Sequence, residues 1–166
     1  MITVRDHVLD EGGFGEVRSE ILKLPYHMLD NKVAVDDKIN CFVHAAYFAD
    51  SPKSDILELL HCYFCCPLDL VTWFRVKINV TLKGKEKTHW GWHVDYGGHG
   101  EKPQYANMKT SLFYLNNTNG PTVFKDGTEV ECVRNRLVTF PAPTMHSGVG
   151  HTEGDDTRIV INFNYF

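Results

Sequence analysis

One ten-residue segment constrains the fold of this chain more than any other. Between residues 73 and 82 polarity alternates, with apolar side chains at Phe74, Val76, Ile78, Val80 and Leu82 and polar side chains at Arg75, Lys77, Asn79 and Thr81. A period of two places neighbouring side chains on opposite faces of a β-strand. The segment therefore predicts a half-buried strand, whose polar face we expect in solvent unless it contacts a substrate.

The rest of the second half of the chain also favours short strands. Six more are predicted, at 90–95, 108–115, 122–124, 129–133, 137–140 and 158–166. Asn119-Gly120-Pro121 and Asp126-Gly127 have the composition of turns between strands. Many short strands separated by glycine- and proline-containing turns are typical of a sandwich or a barrel such as a jelly roll.

The first 66 residues favour helices instead. The spacing of apolar residues over 11–24 predicts a helix with Asp10 as its N-cap and Pro25 as its stop. A second helix is predicted to begin with Ser51 as N-cap and to stop at Pro67. The fold class expected is mainly β (α+β), with these helices packed outside the β core.

Length and composition indicate an ordinary globular protein. The chain has 166 residues, of which 43% are hydrophobic and 23% charged, as in soluble domains with a packed core. We expect a single domain over 1–166, with a mostly helical flank at 1–66 and a β core at 73–166. Seventeen basic and twenty-one acidic residues give a net charge of −4, which does not support a nucleic-acid partner.

The sequence predicts a cytoplasmic protein without a membrane partner. Charged residues interrupt the first ten residues, so no signal peptide is expected, and the most apolar stretch, 62–74, is too short to span a bilayer. The five cysteines are then expected to be reduced thiols. Three of them, Cys62, Cys65 and Cys66, are interpreted as packing residues, with metal or redox use as the open alternative.

One pair of residues has the spacing of metal ligands. His93 and Asp95 lie near the end of a predicted strand, where alternation places them on the same face. Two other pairs have similar spacing, His99 with Glu101 and His151 with Glu153. Both lie in polar, glycine-containing loops, so we expect them to be solvated.

The residues that follow in the chain strengthen the first pair. His146 comes after the predicted strand at 137–140 and a Pro-Ala-Pro turn, so it is expected at the start of a strand. Two imidazoles and one carboxylate on a rigid scaffold leave coordination positions open on non-haem Fe(II). Arg158 begins the last strand, and its planar fork suits the remote carboxylate of a keto acid that chelates iron through its other end.

Five segments resemble one enzyme family and occur in that family's order. They are HVD at 93–95, TSLFYLN at 110–116, NGPTVF at 119–124, NRLVTFPAPTMHSG at 135–148 and RIVINFNYF at 158–166. The chain resembles the Fe(II)- and 2-oxoglutarate-dependent dioxygenases over residues 73–166, particularly their prolyl-hydroxylase-like branch. The resemblance implies a double-stranded β-helix, also described as a cupin-like jelly roll, in which His93, Asp95 and His146 bind the iron.

The same resemblance assigns residues to the cosubstrate. Tyr114 and Arg158 match the positions that hold the distal carboxylate of 2-oxoglutarate. Leu112 and Val160 share strand faces with them and would line the same pocket. Thr110 is on that face too, either as a contact or as an ordinary strand residue.

Some positions bear on the substrate. Many prolyl hydroxylases carry Trp where this chain has Asn164, a position expected inside the barrel near the metal, and this difference weakens the case for a prolyl substrate. Residues 97–105 are either a lid over the iron or a flexible connection. Trp90 and Trp92 are interpreted as barrel packing in preference to a substrate platform. The stretch 147–157 is expected to be a bulged surface loop.

The leading interpretation is an oxygenase that uses O2 and 2-oxoglutarate to hydroxylate an unactivated C–H bond, releasing succinate and CO2. Its substrate would be a prolyl or other protein residue, or else a free amino acid or small metabolite. Two alternatives remain open: a non-catalytic jelly-roll protein that holds a metal through the same three residues, and a cupin-like metal enzyme without a keto acid.

Overall fold

A computed structural model describes residues 1–29, 41–96, 105 and 107–166, which form two antiparallel β-sheets and two α-helices. In chain order the elements are β1 (Thr3–Arg5), α1 (Glu11–Leu22), β2 (His27–Leu29), β3 (Cys41–Phe48), β4 (Ser51–Pro52), α2 (Ile56–Leu68), β5 (Trp73–Leu82), β6 (Lys109–Tyr114), β7 (Thr118–Phe124), β8 (Glu129–Cys132), β9 (Arg136–Pro141), β10 (His146–Gly148) and β11 (Thr157–Tyr165).

The two sheets enclose the interior of a double-stranded β-helix. The larger has the strand order β1-β9-β6-β11-β5-β3-β2, with β4 attached to β3, and the smaller has the order β10-β7-β8. Side chains from both sheets pack together between them, including Leu112 and Val160 from the larger sheet and Phe124 and Val130 from the smaller. This confirms the predicted fold class.

The helices cover the outer face of the larger sheet, as expected. Phe64 of α2 lies against Phe113 of β6 and Phe163 of β11, with ring centroids 4.8 and 4.9 Å apart. Phe14 of α1 contacts Phe113 from the other side. Burial of aromatic side chains on this scale dominates the energetics of a core, so this outer layer holds the larger sheet in place.

The polar face of β5 is only partly exposed and lines the barrel interior, so the expected solvated face is wrong and the alternative of contact with a substrate stays a prediction. Arg75, Lys77, Asn79 and Thr81 pair in register with Asn164, Asn162, Val160 and Arg158 of β11. The strand lies between β3 and β11 in the middle of the larger sheet, and its two faces meet different surroundings. From residue 75 onward, even-numbered residues such as Val76 and Ile78 face the helices, whereas the odd-numbered residues face the barrel interior.

The first helix agrees with the sequence prediction and the second does not. Asp10 caps α1, since its Oδ1 accepts a hydrogen bond from the Gly13 N–H at 2.7 Å. Helix α2 begins after Asp55, not after Ser51, and Pro67 lies in its last turn. The cause is a hairpin: Ala49 and Asp50 both have positive φ and form a tight turn that pairs β4 with the end of β3.

Other boundaries also differ from those predicted. Four strands, β1 to β4, lie within the first 66 residues, so this flank is not mostly helical. The predicted strand at 90–95 is reduced to isolated bridges at His89 and His93. The segment Asn119-Gly120-Pro121 lies inside β7 and is not a turn. Gly120 is required there because a Cβ would come within 2.5 Å of the Val149 carbonyl oxygen.

Two predicted packing groups are instead at the surface. Cys62 and Cys66 are exposed and Cys65 is partly exposed, because Leu60, Phe64 and Leu68 occupy the core-facing side of α2. Trp92 is 40% exposed and carries the Lys125 amine 4.1 Å from its ring centroid. Among the helices described, neither is long and apolar enough to cross a membrane.

Candidate metal centre

The three side chains predicted to bind metal lie together inside the barrel. One potential ligand atom from each of His93, Asp95 and His146 lies within 4.8 Å of the other two. A pair of backbone hydrogen bonds, 3.0 and 2.9 Å long, joins His93 to His146 and sets their ring centroids 4.4 Å apart. Position 93 is thus held by β10 although no regular strand passes through it.

Both imidazoles are oriented by backbone carbonyls. His93 Nδ1 donates to Gly91 O at 3.1 Å, and His146 Nδ1 donates to Thr144 O at 2.9 Å. Each ring therefore keeps Nε2 as its available lone pair. Burial, together with the neighbouring His146, lowers the pKa of His93 to about 4. A neutral imidazole is the form that binds a metal ion.

Asp95 is the most heavily hydrogen-bonded of the three. Its Oδ1 accepts from Arg75 Nη2 at 2.8 Å. Its Oδ2 accepts from Thr110 Oγ1 at 3.2 Å, Asn162 Nδ2 at 3.1 Å and Asn164 Nδ2 at 3.2 Å. Three donors saturate Oδ2, so Oδ1 retains the free lone pair for a metal.

The surroundings keep this carboxylate ionised. Burial by itself would raise the pKa of Asp95, but the cationic side chains of Arg75 and Lys77 hold it well below its usual range. Thr110 contacts the candidate metal ligand Asp95, and its contact with the cosubstrate stays a prediction. Asn164 lies inside the barrel beside the triad, as the sequence predicted, and links Arg75 to Thr110 through further hydrogen bonds.

Arg158 and Tyr114 meet at a second point of the interior. Arg158 is 3% exposed and donates from Nε to Gly120 O at 2.9 Å and from Nη2 to Thr122 Oγ1 at 3.1 Å. Tyr114 donates its hydroxyl to the same Thr122 oxygen at 2.8 Å. Burial raises the pKa of Tyr114 to about 12, so its phenol is neutral. No carboxylate of the described chain pairs with Arg158.

Leu112 and Val160 lie on the surface that joins the two points. Val160 is opposite Tyr114 in the sheet, and Leu112 is opposite Asn162, which contacts Asp95. Both are buried in the interior cluster with Tyr114. The predicted lining residues thus form an apolar stretch on the interior face of the larger sheet, between the three candidate ligands and Arg158.

The interior face of the larger sheet has polar atoms without partners near Arg158. Thr81 Oγ1, on the residue paired with Arg158 across β5 and β11, is buried and makes no hydrogen bond. Trp90 Nε1 is also buried without a partner, and the Trp90 ring centroid lies 5.4 Å from the Arg158 guanidinium carbon. A buried cation with unpartnered polar neighbours is chemically suited to a carboxylate. The residues present therefore fit both Fe(II) and the distal end of 2-oxoglutarate.

The pair His151 and Glu153 does not contribute ligands to this centre. His151 is fully buried, contrary to the expected solvated loop, because the backbone around Gly120 packs directly against it. Its Nε2 contacts Asp155 O at 3.1 Å, whereas Glu153 is exposed. His99 and Glu101 lie outside the described residues, as does the segment 97–105 apart from Tyr105, for which a lid and a flexible connection were both open.

Sequence reasoning missed the residues that surround Asp95. Arg75 was interpreted as part of a solvated face, and Asn162 was not singled out. A signal for both was available, since Asn162 and Asn164 are two amides on one face of an otherwise apolar last strand. Amides on a buried strand require partners, and these lie across the sheet and on Asp95.

Comparisons with solved structures identify proteins of the same fold. No protein-family model and no curated protein matches the sequence. A prolyl hydroxylase from Trichoplax adhaerens, in complex with a hypoxia inducible factor peptide fragment, superposes with a TM-score of 0.70 at 13% identity, covering 99% of this chain and 83% of that one. A viral collagen prolyl hydroxylase from Paramecium Bursaria Chlorella virus-1, in a 2-oxoglutarate complex, gives 0.67 at 13% identity over 98% and 94%.

A third neighbour is a bacterial protein with a bound metal ion and cosubstrate. HygX from Streptomyces hygroscopicus, with nickel and 2-oxoglutarate bound, superposes with a TM-score of 0.67 at 12% identity, covering 99% of this chain and 82% of that one. At these identities the comparisons establish a shared fold, the one seen in Fe(II)/2-oxoglutarate oxygenases. The family resemblance noted in the sequence is confirmed at that level.

Proposed function

We propose that this chain, which has the fold of the Fe(II)/2-oxoglutarate oxygenases, is itself a 2-oxoglutarate-dependent hydroxylase. His93, Asp95 and His146 would bind Fe(II), and Arg158 with Tyr114 would bind the distal carboxylate of 2-oxoglutarate. When bound, iron with O2 and 2-oxoglutarate supplies the oxidation that converts C–H to C–OH, with succinate and CO2 as the other products.

The protein's own residues then have three tasks. The carbonyls of Gly91 and Thr144 fix the imidazoles through Nδ1, so Nε2 of each ring would be the atom that binds the metal. Arg158 orients the cosubstrate by a charge-assisted hydrogen bond while Leu112 and Val160 exclude water from its carbon chain. No side chain needs to act as a general acid or base, because the substrate C–H bond is not activated by proton transfer.

The observation that carries this proposal is the isolated charge of Arg158. A buried guanidinium without a carboxylate partner is costly unless a ligand supplies one. A jelly-roll protein that only held a metal, or a cupin-like enzyme without a keto acid, would have no use for this cation beside Tyr114. The geometry therefore favours the keto-acid enzyme over both alternatives.

The class of substrate is left broader. Among proteins of this fold, the Trichoplax adhaerens prolyl hydroxylase is in complex with a peptide fragment. HygX has also been solved with hygromycin B bound beside nickel and 2-oxoglutarate. A protein residue such as proline, or a small molecule, is therefore the substrate we propose. Asn164 contacts Asp95 from the interior, so the position where many prolyl hydroxylases carry Trp has a different task here.

A direct test uses the Fe(II) protein under anaerobic conditions. Addition of 2-oxoglutarate should produce a visible metal-to-ligand charge-transfer band, and admission of O2 should then yield succinate. The band should require both the metal and the keto acid, and Arg158→Ala should shift its titration midpoint upward. Absence of the band in the wild-type protein at saturating 2-oxoglutarate would refute the proposed function.

A further inference from the structure

The barrel interior has more positive than negative charge. Among the described residues that face it, Arg75, Lys77 and Arg158 are cationic and Asp95 is anionic. A divalent metal and the dianion 2-oxoglutarate cancel each other, so the proposed cofactors leave the excess of positive charge unchanged. Lys77 is only partly buried, but a cation in a largely enclosed interior is stabilised when it pairs with an anion. The loaded site still lacks that anion.

Lys77 is the cation without a partner. Arg75 is paired with Asp95, and Arg158 is the proposed partner of the cosubstrate. The Lys77 amine has no hydrogen bond or ion pair with a described residue. Burial and the neighbouring Arg75 charge lower the pKa of this amine, an effect that Asp95 partly opposes.

A buried acceptor lies on the residue paired with Lys77. Asn162, directly across β5 and β11 from Lys77, is 4% exposed and its Oδ1 has no partner. Its Nδ2 donates to Asp95 Oδ2 at 3.1 Å. If the Asn162 amide were flipped, its Oδ1 would face Asp95 Oδ2, and neither oxygen can donate. The hydrogen bond from Nδ2 therefore fixes the amide orientation, in which Oδ1 has no partner.

We propose that Lys77 binds a carboxylate placed beside the metal, and that this carboxylate belongs to the substrate. Asn162 Oδ1 would accept from an N–H or O–H group of the same molecule. The inference rests on the proposed function and narrows it: the substrate class becomes small acids that carry both a carboxylate and a hydrogen-bond donor, as amino acids do. The other source of such a carboxylate is the metal-proximal end of 2-oxoglutarate.

The stability of the ligand-free protein distinguishes a binding residue from a structural one. A lysine that only supports the fold would make Lys77→Met destabilising. A lone cation beside Arg75, retained for a ligand, should instead make Lys77→Met neutral or raise the Tm. Lys83→Met is the matched control, because Lys83 is near the end of the same strand and pairs with the exposed Asp156. A marked fall in Tm for Lys77→Met alone would overturn the proposal.

Two binding measurements then identify the source of the carboxylate. The Mn(II)-loaded protein is first titrated with 2-oxoglutarate, and failure to bind it would count against the proposed function and not against Lys77. Oxalate, which presents only the metal-proximal carboxylates, is titrated next. If the substrate is the source, Lys77→Met should bind oxalate and 2-oxoglutarate as the wild type does; an approximately tenfold weakening of both would assign Lys77 to the cosubstrate instead.

The substrate arm uses matched probes. The protein loaded with Mn(II) and 2-oxoglutarate is screened by thermal shift against the common L-amino acids and their carboxamides. We expect at least one free acid to raise the Tm when its amide does not, and this difference should disappear in Lys77→Met and return in part in Lys77→Arg. Equal responses to every acid and amide, with unchanged oxalate binding in Lys77→Met, would overturn the proposal.

Discussion

Arg75 donates a hydrogen bond from Nη2 to Oδ1 of Asp95 at 2.8 Å. A candidate metal ligand is therefore already part of an ion pair in the metal-free protein. The Arg75 side chain is 18% exposed and that of Asp95 is 3% exposed, so the pair is largely shielded from water. A metal ion that binds Asp95 must share its carboxylate with this guanidinium. The pair therefore stabilises the metal-free protein and competes with the metal for the same charge.

This competition makes Arg75→Met a sharp test of the metal centre. Loss of one partner of a buried pair should destabilise the metal-free protein by about 3 kcal/mol. A bound divalent ion would replace the missing charge, so Mn(II) should raise the Tm of the variant more than that of the wild type. Thermal denaturation with and without Mn(II) measures both, with Lys23→Met, at an exposed pair, as control. An equal rise in both proteins would show that Asp95 does not bind the ion.

Removal of either imidazole should abolish Fe(II)-dependent turnover of 2-oxoglutarate. His93→Ala and His146→Ala each leave two ligands where three are needed to hold Fe(II). Competition with a chromogenic chelator should show the loss of Fe(II) affinity, while circular dichroism shows that the fold persists. His27→Ala, at an exposed strand position, should behave as the wild type. Full activity of either variant at modest Fe(II) would exclude that residue as a ligand.

Arg158→Ala should raise the 2-oxoglutarate concentration needed for half-maximal turnover by at least about tenfold. The reason is the loss of a buried, charge-assisted contact, which costs about 2 to 5 kcal/mol. Fe(II) affinity should persist, because Arg158 is not among the candidate ligands. Arg158→Lys should restore only part of the loss, since a point charge does not reproduce the planar fork. An unchanged 2-oxoglutarate dependence in Arg158→Ala would place the carboxylate contact elsewhere.

A methyl group at position 148 should disturb the cosubstrate pocket through Trp90. A Cβ on Gly148 would lie 2.3 Å from the Trp90 ring, which contacts Arg158. Gly148→Ala should therefore destabilise the protein by about 1 to 3 kcal/mol, as overpacking does, and weaken 2-oxoglutarate binding. Gly15→Ala is the control, because a Cβ there meets nothing within 4 Å. Urea unfolding and the charge-transfer titration give the two values, and normal values for both in Gly148→Ala would contradict the packing described.

Alkaline pH should expose the burial of Tyr114. Its pKa is about 12 in the folded protein against a usual value of 10, so the neutral phenol favours folding below pH 10 and this contribution is lost as pH rises toward 12. The difference corresponds to about 3 kcal/mol. Tyr114→Phe should therefore lose less stability than the wild type between pH 10 and 12 in urea unfolding. Parallel losses in the two proteins would mean that Tyr114 ionises without cost.

The β core could be predicted from alternating polarity, which is a local signal. The three candidate ligands could be predicted from their residue types and their positions beside predicted strands. These signals were not enough for the surroundings of Asp95. The contact of Arg75 with Asp95 depends on a distant segment that the bridge between His93 and His146 holds in place. Alternation alone does not distinguish solvent from a polar interior. The same limit explains His151, which is buried by the approach of Gly120 from another strand.

Errors in the first half of the chain have a different origin. Ala49 and Asp50 both adopt positive φ without a glycine or an asparagine to announce the turn. The Ser-Pro pair that follows has the composition of a helix start but belongs to β4. Strand β3 has apolar residues on both faces and a register shift between Ala45 and Tyr47, and such strands lack a clean period.

In β5 and β11, alternate residues lie on two different faces, one packed against the helices and the other lining the barrel interior. Along β11, Ile159, Ile161 and Phe163 pack under the helices, whereas Arg158, Asn162 and Asn164 face the barrel interior with the candidate site. A mutation at a helix-facing position acts on thermodynamic stability, whereas a mutation at an interior-facing position also acts on ligand binding. New specificities can then arise by changing alternate positions while the intervening residues conserve the scaffold, so divergence of substrate need not be accompanied by loss of folding.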